Sequence, residues 1–183
     1  MSTSERPLLL LDVDGPLNPF AARWRLRPRG YTTHRFRPTG WLERHPSVPG
    51  RKAATLRVWL KAEHGRLLAG LPCELVWATA WTHDANECIS PVLGLPELPV
   101  IEWPMMFRAE EPGLLLWKAR PIVEWAAGRP FAWVDDRITE RERQFVAAVH
   151  KGPALLHHVD ARHGLREADF AALARWARET SGR

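Results

Sequence analysis

Short apolar runs alternate with longer amphipathic stretches along most of the chain. Each run is four to six residues long and largely apolar at consecutive positions, which is typical of strands buried on both faces of a parallel sheet. The predicted strands are Leu8–Asp12, Glu74–Thr79, Leu98–Ile101, Phe131–Asp135 and Ala154–His158.

Between these strands, apolar residues recur at the spacing of an α-helix. The predicted helices cover residues 54–68, 118–127, 139–149 and 165–177. The third of them opens with Thr139 and has Glu142 three positions later, the pattern of a capping box. The repeated strand–helix–strand order predicts an α/β fold built on a three-layer, doubly wound parallel sheet.

Residues 16–50 interrupt this pattern. They contain six prolines and three glycines, too many for a continuous helix. Tyr31 to Phe36 is bounded by Gly30 and Pro38, which predicts one half of a hairpin. We therefore expect a single domain over residues 1–183, with 16–50 forming a small cap or flap after the first strand.

Composition narrows the class of protein. The 183 residues are 45% hydrophobic and 26% charged, as expected for one globular domain with a sizeable core. No apolar run approaches the ~20 residues needed to span a bilayer, and no signal peptide is recognisable. Two cysteines, Cys73 and Cys88, do not make a disulfide framework, so we expect a cytoplasmic protein with no membrane partner.

Positive charge is concentrated in one segment. Residues 21–52 carry nine basic residues and one acidic residue, a net charge of +8, whereas the rest of the chain carries −3 (17 basic against 20 acidic residues). A local positive field favours an anionic partner. The aromatic residues interleaved with these arginines are typical of a surface for phosphates and stacked bases. The alternative is a solvated flap with scattered ion pairs, whose aromatic side chains pack on the body.

Polar residues with reactive side chains end several of the predicted strands. In an open parallel sheet, ligands bind beyond the carboxyl ends of the strands. The first strand ends in Asp12 and Asp14, and the second in Thr79. The strand over Phe131–Asp135 ends in the pair Asp135-Asp136, and Lys118 opens the helix before it.

This set of groups suits phosphoryl transfer. Crowded carboxylates repel each other unless a hard cation lies among them, and Mg²⁺ prefers carboxylate, water and phosphate oxygens. An ionised aspartate can attack phosphorus and form an aspartyl-phosphate. A second carboxyl nearby can protonate the leaving oxygen and then activate water. A hydroxyl and an ammonium can hold the phosphoryl oxygens.

In this order, Asp12-Val13-Asp14-Gly15, Thr79, Lys118 and Asp135-Asp136 resemble the motifs of the haloacid dehalogenase (HAD)-like hydrolase superfamily. The resemblance covers the chain outside residues 16–50 and implies a Rossmann-like core. It implies that Asp12 is the nucleophile and a Mg²⁺ ligand. It also implies that Asp14 is the general acid and base and offers its backbone carbonyl to the metal.

The same resemblance implies that Thr79 and Lys118 bind the transferring phosphoryl group, and that Asp135 and Asp136 complete the metal site. The presence of the second aspartate is similar to the phosphatase branch. Pro16 departs from that branch, in which threonine or valine is more usual after the DxDG motif.

The expected function is therefore a Mg²⁺-dependent phosphohydrolase that acts on a phosphomonoester, including a nucleotide or a nucleic-acid end. A phosphotransferase and a binding module that retains the fold without catalysis are the alternatives. Trp81 is expected on the rim of the site, where it would stack on a substrate ring or pack in the core. Arg35 and Arg37 are the other candidate substrate contacts.

Overall fold

The computed structural model describes residues 6–22, 26–44, 55–103 and 115–181. These residues form six strands and seven helices. The strands are β1 (Leu8–Leu11), β2 (Thr32–Phe36), β3 (Leu56–Leu60), β4 (Glu74–Trp77), β5 (Phe131–Asp135) and β6 (Ala154–His158). The helices are α1 (Thr39–Arg44), α2 (Glu63–Ala69), α3 (Asp84–Cys88), α4 (Ser90–Leu93), α5 (Ala119–Ala126), α6 (Glu140–Val149) and α7 (Glu167–Ser181).

A parallel sheet in the order β4-β1-β5-β6 forms the centre of the fold. All four leucines of β1 are fully buried. Leu8 and Leu10 pack in the apolar cluster that includes residues of α5 and α6, whereas Leu9 and Leu11 pack in the cluster that includes residues of α2 and α7. Helices thus cover both faces, which explains why β1 is apolar at every position and confirms the three-layer α/β fold.

The predicted strand over Leu98–Ile101 is reduced to a single parallel bridge between Val100 and Trp77. The Trp77 backbone N–H donates to the carbonyl of Pro99, and the N–H of Ile101 donates to the carbonyl of Trp77. Pro99 has no N–H to donate. The apolar run therefore borders the sheet without becoming a strand, while the other four predicted strands are confirmed.

The helix predicted over 54–68 is wrong in its first half. Residues 56–60 form β3, which pairs antiparallel with β2, and a helix starts only at Glu63. Leu56, Val58 and Leu60 all pack in one apolar cluster, so the period of two fits this segment better than the period of 3.6. The hairpin predicted at 31–36 thus finds its second strand beyond residue 50.

Hydrogen bonds at two places position residues 16–60, which we call the inserted segment. The side chain of the buried Asp84, in α3, accepts hydrogen bonds from the backbone N–H groups of Gly40 and Trp41, both at 2.9 Å. These N–H groups lie in the first turn of α1, where backbone donors lack helical partners. On the hairpin, the Trp59 N–H donates to Asn18 Oδ1 at 3.0 Å. Both contacts lie near the carboxyl ends of β1 and β4.

Within the described ranges, no helix is long and apolar enough to cross a membrane. Cys73 and Cys88 are buried free thiols. Burial raises the pKa of each thiol to about 11, so both are neutral and poorly reactive at ordinary pH.

Candidate active site

The candidate site lies at the carboxyl end of β1. The chain runs from β1 to β4 on one side and later returns to β5 on the other side, so β1 marks the point where the strand order reverses. The Asp12 N–H donates to the carbonyl of Val134 at 3.0 Å, and the Ala78 N–H donates to the carbonyl of Leu11 at 2.9 Å. The residues that follow β1, β4 and β5 therefore meet at one edge, where such sheets bind ligands.

Lys118 joins two of these strand ends. Its ammonium donates to Asp12 Oδ2 at 2.6 Å and to Asp135 Oδ2 at 2.7 Å. Lys118 is 3% exposed, Asp12 5% and Asp135 0%. Three motifs that are 106 and 17 residues apart in sequence thus share one buried, charge-assisted hydrogen-bond network.

Burial and charge shift the pKa values in this network. Burial raises the pKa of Asp12 to about 8, even though Lys118 acts to lower it. Burial alone would lower the pKa of Lys118, but the carboxylates of Asp12 and Asp135 outweigh that effect and raise it. Burial, reinforced by Asp135, raises the pKa of Asp136 to about 6. One ammonium therefore does not fully compensate the neighbouring carboxylates, and further positive charge would stabilise them.

The carboxylates are grouped closely enough to hold a cation. Asp12, Asp135 and Asp136 each offer an oxygen atom, and these atoms lie within 4.8 Å of one another. Carboxylate oxygens are ligands for hard divalent ions. Gly15 allows this approach: its φ is +91°, and a Cβ there would lie 2.5 Å from both Cβ and Cγ of Asp136. The glycine of the DxDG motif is thus required by both backbone conformation and space.

The Asp14 carboxylate is held by two side chains. Asn18 Nδ2 donates to Asp14 Oδ1 at 2.8 Å, and Trp81 Nε1 donates to Asp14 Oδ2 at 3.0 Å. Trp81 is 7% exposed and meets Phe36 of β2 edge to face, with ring centroids 6.4 Å apart. The ring of Trp81 therefore packs under the hairpin and orients a carboxyl group with its indole nitrogen.

Thr79 lies in a tightly held loop after β4. It is fully buried, and its Oγ1 accepts a hydrogen bond from the Trp81 N–H at 3.3 Å. Trp103 Nε1 donates to the Thr79 carbonyl at 2.8 Å. Thr82 has a φ of 50°, an uncommon conformation for a β-branched residue. Because the hydroxyl accepts from the backbone, its own proton is directed elsewhere and can be donated to an anion.

Residues 8–170 match the family model for the HAD domain in Swiss Army Knife RNA repair proteins. The chain belongs to this family of HAD domains. The match spans all the motifs and confirms the resemblance to the HAD-like hydrolase superfamily. Neither the curated proteins nor the solved structures compared with the chain include a match.

Asn18 belongs to the candidate site through its contact with Asp14, and the sequence did not reveal it. While its amide nitrogen holds Asp14, its amide oxygen accepts from the backbone of β3. The second contact depends on the position of β3 beside the loop that follows β1. The only local signal is an asparagine between Pro16 and Pro19, and such residues are ordinary in turns.

Glu142 is a second residue whose part in the site was missed. Its predicted capping box with Thr139 is present in the structure. In addition, Glu142 Oε1 accepts a hydrogen bond from the Leu116 N–H at 3.0 Å. The start of α6, just after Asp136, is thereby tied to the segment that carries Lys118.

Arg35 and Arg37 are exposed. Along β2, alternate side chains point to opposite faces, and Phe36 contacts Trp81. Arg35 therefore lies on the face of the hairpin away from Trp81. Residues 23–25 and 45–52 of the basic segment, Trp24 among them, lie outside the described residues.

Proposed function

We propose that this HAD domain is a Mg²⁺-dependent phosphohydrolase that forms an aspartyl-phosphate on Asp12. The observation that best supports the proposal is the network in which Lys118 bridges Asp12 and Asp135, with Asp136 beside them. In this network, Asp12 is the nucleophile. Lys118 donates hydrogen bonds to the anionic oxygens of the substrate.

In the first half-reaction, a carboxylate oxygen of Asp12 attacks phosphorus, and the bond between phosphorus and the ester oxygen breaks. Asp14 gives its proton to the departing oxygen, which leaves as an alcohol. Lys118 and Thr79 donate hydrogen bonds to the phosphoryl oxygens as charge redistributes. Asn18 and Trp81 keep the Asp14 carboxyl group in one orientation, so no reorientation is needed during the step.

In the second half-reaction, Asp14 is ionised and accepts a proton from water. The water oxygen attacks phosphorus, the bond between Asp12 and phosphorus breaks, and inorganic phosphate is released. Asp14 is thereby protonated again and ready for the next substrate.

The metal would be held by the carboxylates of Asp12, Asp135 and Asp136, whose oxygens lie within 4.8 Å of one another. When bound, Mg²⁺ would supply positive charge that keeps Asp12 ionised and neutralises part of the charge on the phosphoryl group. The donors fit the metal, because every side-chain ligand in the set is a hard oxygen.

We propose a nucleic-acid end as the substrate. The matched family model describes HAD domains of RNA repair proteins, and the segment over residues 21–52 carries a net charge of +8. The segment over residues 16–50 is short, so it provides little material for a large lid over the carboxyl edge of the sheet. We also propose a cytoplasmic location, because both thiols are free and the cytoplasm keeps thiols reduced.

Phosphate release with and without Mg²⁺ tests this function. The substrates are p-nitrophenyl phosphate, a mononucleotide, and RNA and DNA oligonucleotides that carry a phosphate at the 5′ or the 3′ end. We expect release that EDTA abolishes and Mg²⁺ restores, with the highest kcat/KM for an oligonucleotide. A folded protein that releases phosphate from none of them, or equally well in EDTA, would contradict the proposal.

A further inference from the structure

Two arginines face each other on one side of the hairpin. Arg35 of β2 and Arg57 of β3 are directly opposite in the antiparallel register, and both are exposed. We call the surface formed by these two side chains the outer face. Like charges directly opposite on paired strands destabilise a hairpin. Such a pair is therefore unfavourable unless an anion lies between or against the two guanidinium groups.

The described part of the chain supplies no carboxylate partner for the arginine pair. Among the residues that the structure describes, neither Arg35 nor Arg57 forms an ion pair with a carboxylate. Instead, the Arg57 guanidinium lies 4.8 Å from the centre of the Trp59 ring. This cation–π contact restrains the side chain while leaving its N–H donors available.

Positive charge continues along the inserted segment. Arg37 follows β2 and is exposed, and so are Arg27 and Arg29 before it. The Trp59 ring is only 5% exposed, so it supports Arg57 and is not a platform for a base. The outer face is therefore suited to bind phosphate, and it neither stacks on bases nor contacts base edges.

The outer face is linked directly to the candidate active site. The backbone N–H of Trp59, two residues from Arg57, donates to Asn18, and Asn18 holds the Asp14 carboxylate. From the other strand, Phe36, next to Arg35, contacts Trp81, which holds the same carboxylate. The two strands that carry Arg35 and Arg57 are thus the strands that contact the residues holding Asp14.

We propose that the outer face binds the phosphate backbone of a polynucleotide whose phosphorylated end occupies the active site. The inference rests on the proposed function for the position of that end. Arg35 and Arg57 hold a backbone phosphate between them through charge-assisted, forked hydrogen bonds. Binding depends on salt and is nearly independent of base sequence.

The test compares the double variant Arg35→Ala/Arg57→Ala with the wild type. Fluorescence anisotropy measures the Kd of a labelled RNA oligonucleotide, with and without a terminal phosphate, over a series of salt concentrations. We expect Kd to rise at least ~10-fold, and the slope of log Kd against log salt to decrease by about one to two phosphate contacts. We also expect kcat/KM to fall at least ~10-fold more for a phosphorylated oligonucleotide than for p-nitrophenyl phosphate.

A matched control removes the same charge elsewhere. Arg175 and Arg178 are exposed on α7, and Arg175→Ala/Arg178→Ala should change Kd by less than about threefold. The single variant Arg35→Ala leaves the contact of Arg57 with Trp59 in place, so it tests the surface even if the double variant folds poorly. It should raise Kd by about half as much on a logarithmic scale as the double variant.

Several results would overturn the inference. The first is unchanged RNA binding in Arg35→Ala and in the double variant. The second is an equal loss of binding in the α7 control. The third is displacement of the RNA by polyglutamate at equal charge, which would indicate an acidic protein as the partner. Because anisotropy requires no turnover, binding that depends on Arg35 in a protein that releases no phosphate would reject the phosphatase proposal alone.

Discussion

Asp12→Asn is expected to lower kcat for phosphate release by about 10⁴-fold or more, because an amide cannot attack phosphorus in place of the carboxylate. The substitution should leave the fold intact. Burial raises the pKa of Asp12 from its ordinary value of 3.8 to about 8. At neutral pH, the folded state therefore disfavours the ionised form of this carboxyl group. At neutral pH the neutral asparagine removes that cost, and the free energy of unfolding should not decrease.

Asp14→Asn is the matched control for this loss, because it removes a carboxylate two residues away and leaves the nucleophile. With p-nitrophenyl phosphate, whose leaving group needs little protonation, we expect a burst of p-nitrophenolate equal to the enzyme concentration, followed by slow turnover. Asp12→Asn should show no burst. If Asp12→Asn retained a tenth of the wild-type activity, Asp12 would not be the nucleophile.

Lys118→Met is expected to destabilise the protein by about 3–5 kcal/mol at neutral pH, since it leaves two buried carboxylates facing each other without their cation. Asp12 and Asp135 raise the pKa of Lys118 despite its burial. The ammonium therefore stabilises the folded state fully at any pH below the ordinary lysine pKa. The variant lacks this stabilisation throughout the neutral range. Phosphate release should also fall by about 10²–10³-fold, because a donor to the phosphoryl oxygens is missing.

The destabilisation caused by Lys118→Met should depend on pH. Lys118 acts to lower the pKa of Asp12, so without the ammonium the Asp12 carboxyl group favours the protonated form more strongly in the folded state, and a proton partly replaces the lost cation. The destabilisation measured by urea unfolding should therefore be smaller at about pH 5 than at about pH 9. Lys61→Met removes a lysine whose partner is the exposed Glu63, at 2.9 Å, and should destabilise the protein far less. Equal losses in the two variants would contradict the assigned network.

The meeting of the motifs at one edge could be predicted because it depends on topology. An apolar run such as Leu8–Leu11 can be buried on both faces only in a parallel sheet with helices on each side. The polar residues after such runs must then lie at the carboxyl edge. The contacts of Lys118 with Asp12 and Asp135 agree with that expectation. The resemblance to the family's motif order implied a role for each residue, which periodicity alone does not indicate.

The inserted segment was harder to interpret because local pattern and tertiary pairing disagree there. Leu56, Trp59 and Leu60 fit a helical stripe, and only pairing with β2 decides that they belong to a strand. The position of Arg35 opposite Arg57 follows from that pairing and from nothing in the local sequence. Asn18 likewise has meaning only once Trp59 and Asp14 lie on either side of its amide.

Chemical trapping of the intermediate tests the central claim most directly. Borohydride reduces an acyl phosphate to an alcohol, so an aspartyl-phosphate becomes homoserine, which peptide mass spectrometry can locate. The Asp14→Asn variant, quenched with borohydride during turnover of p-nitrophenyl phosphate in Mg²⁺, should contain homoserine in place of Asp12 and at no other aspartate. A burst of p-nitrophenolate with Asp12 unmodified, or with homoserine at another position, would contradict the account.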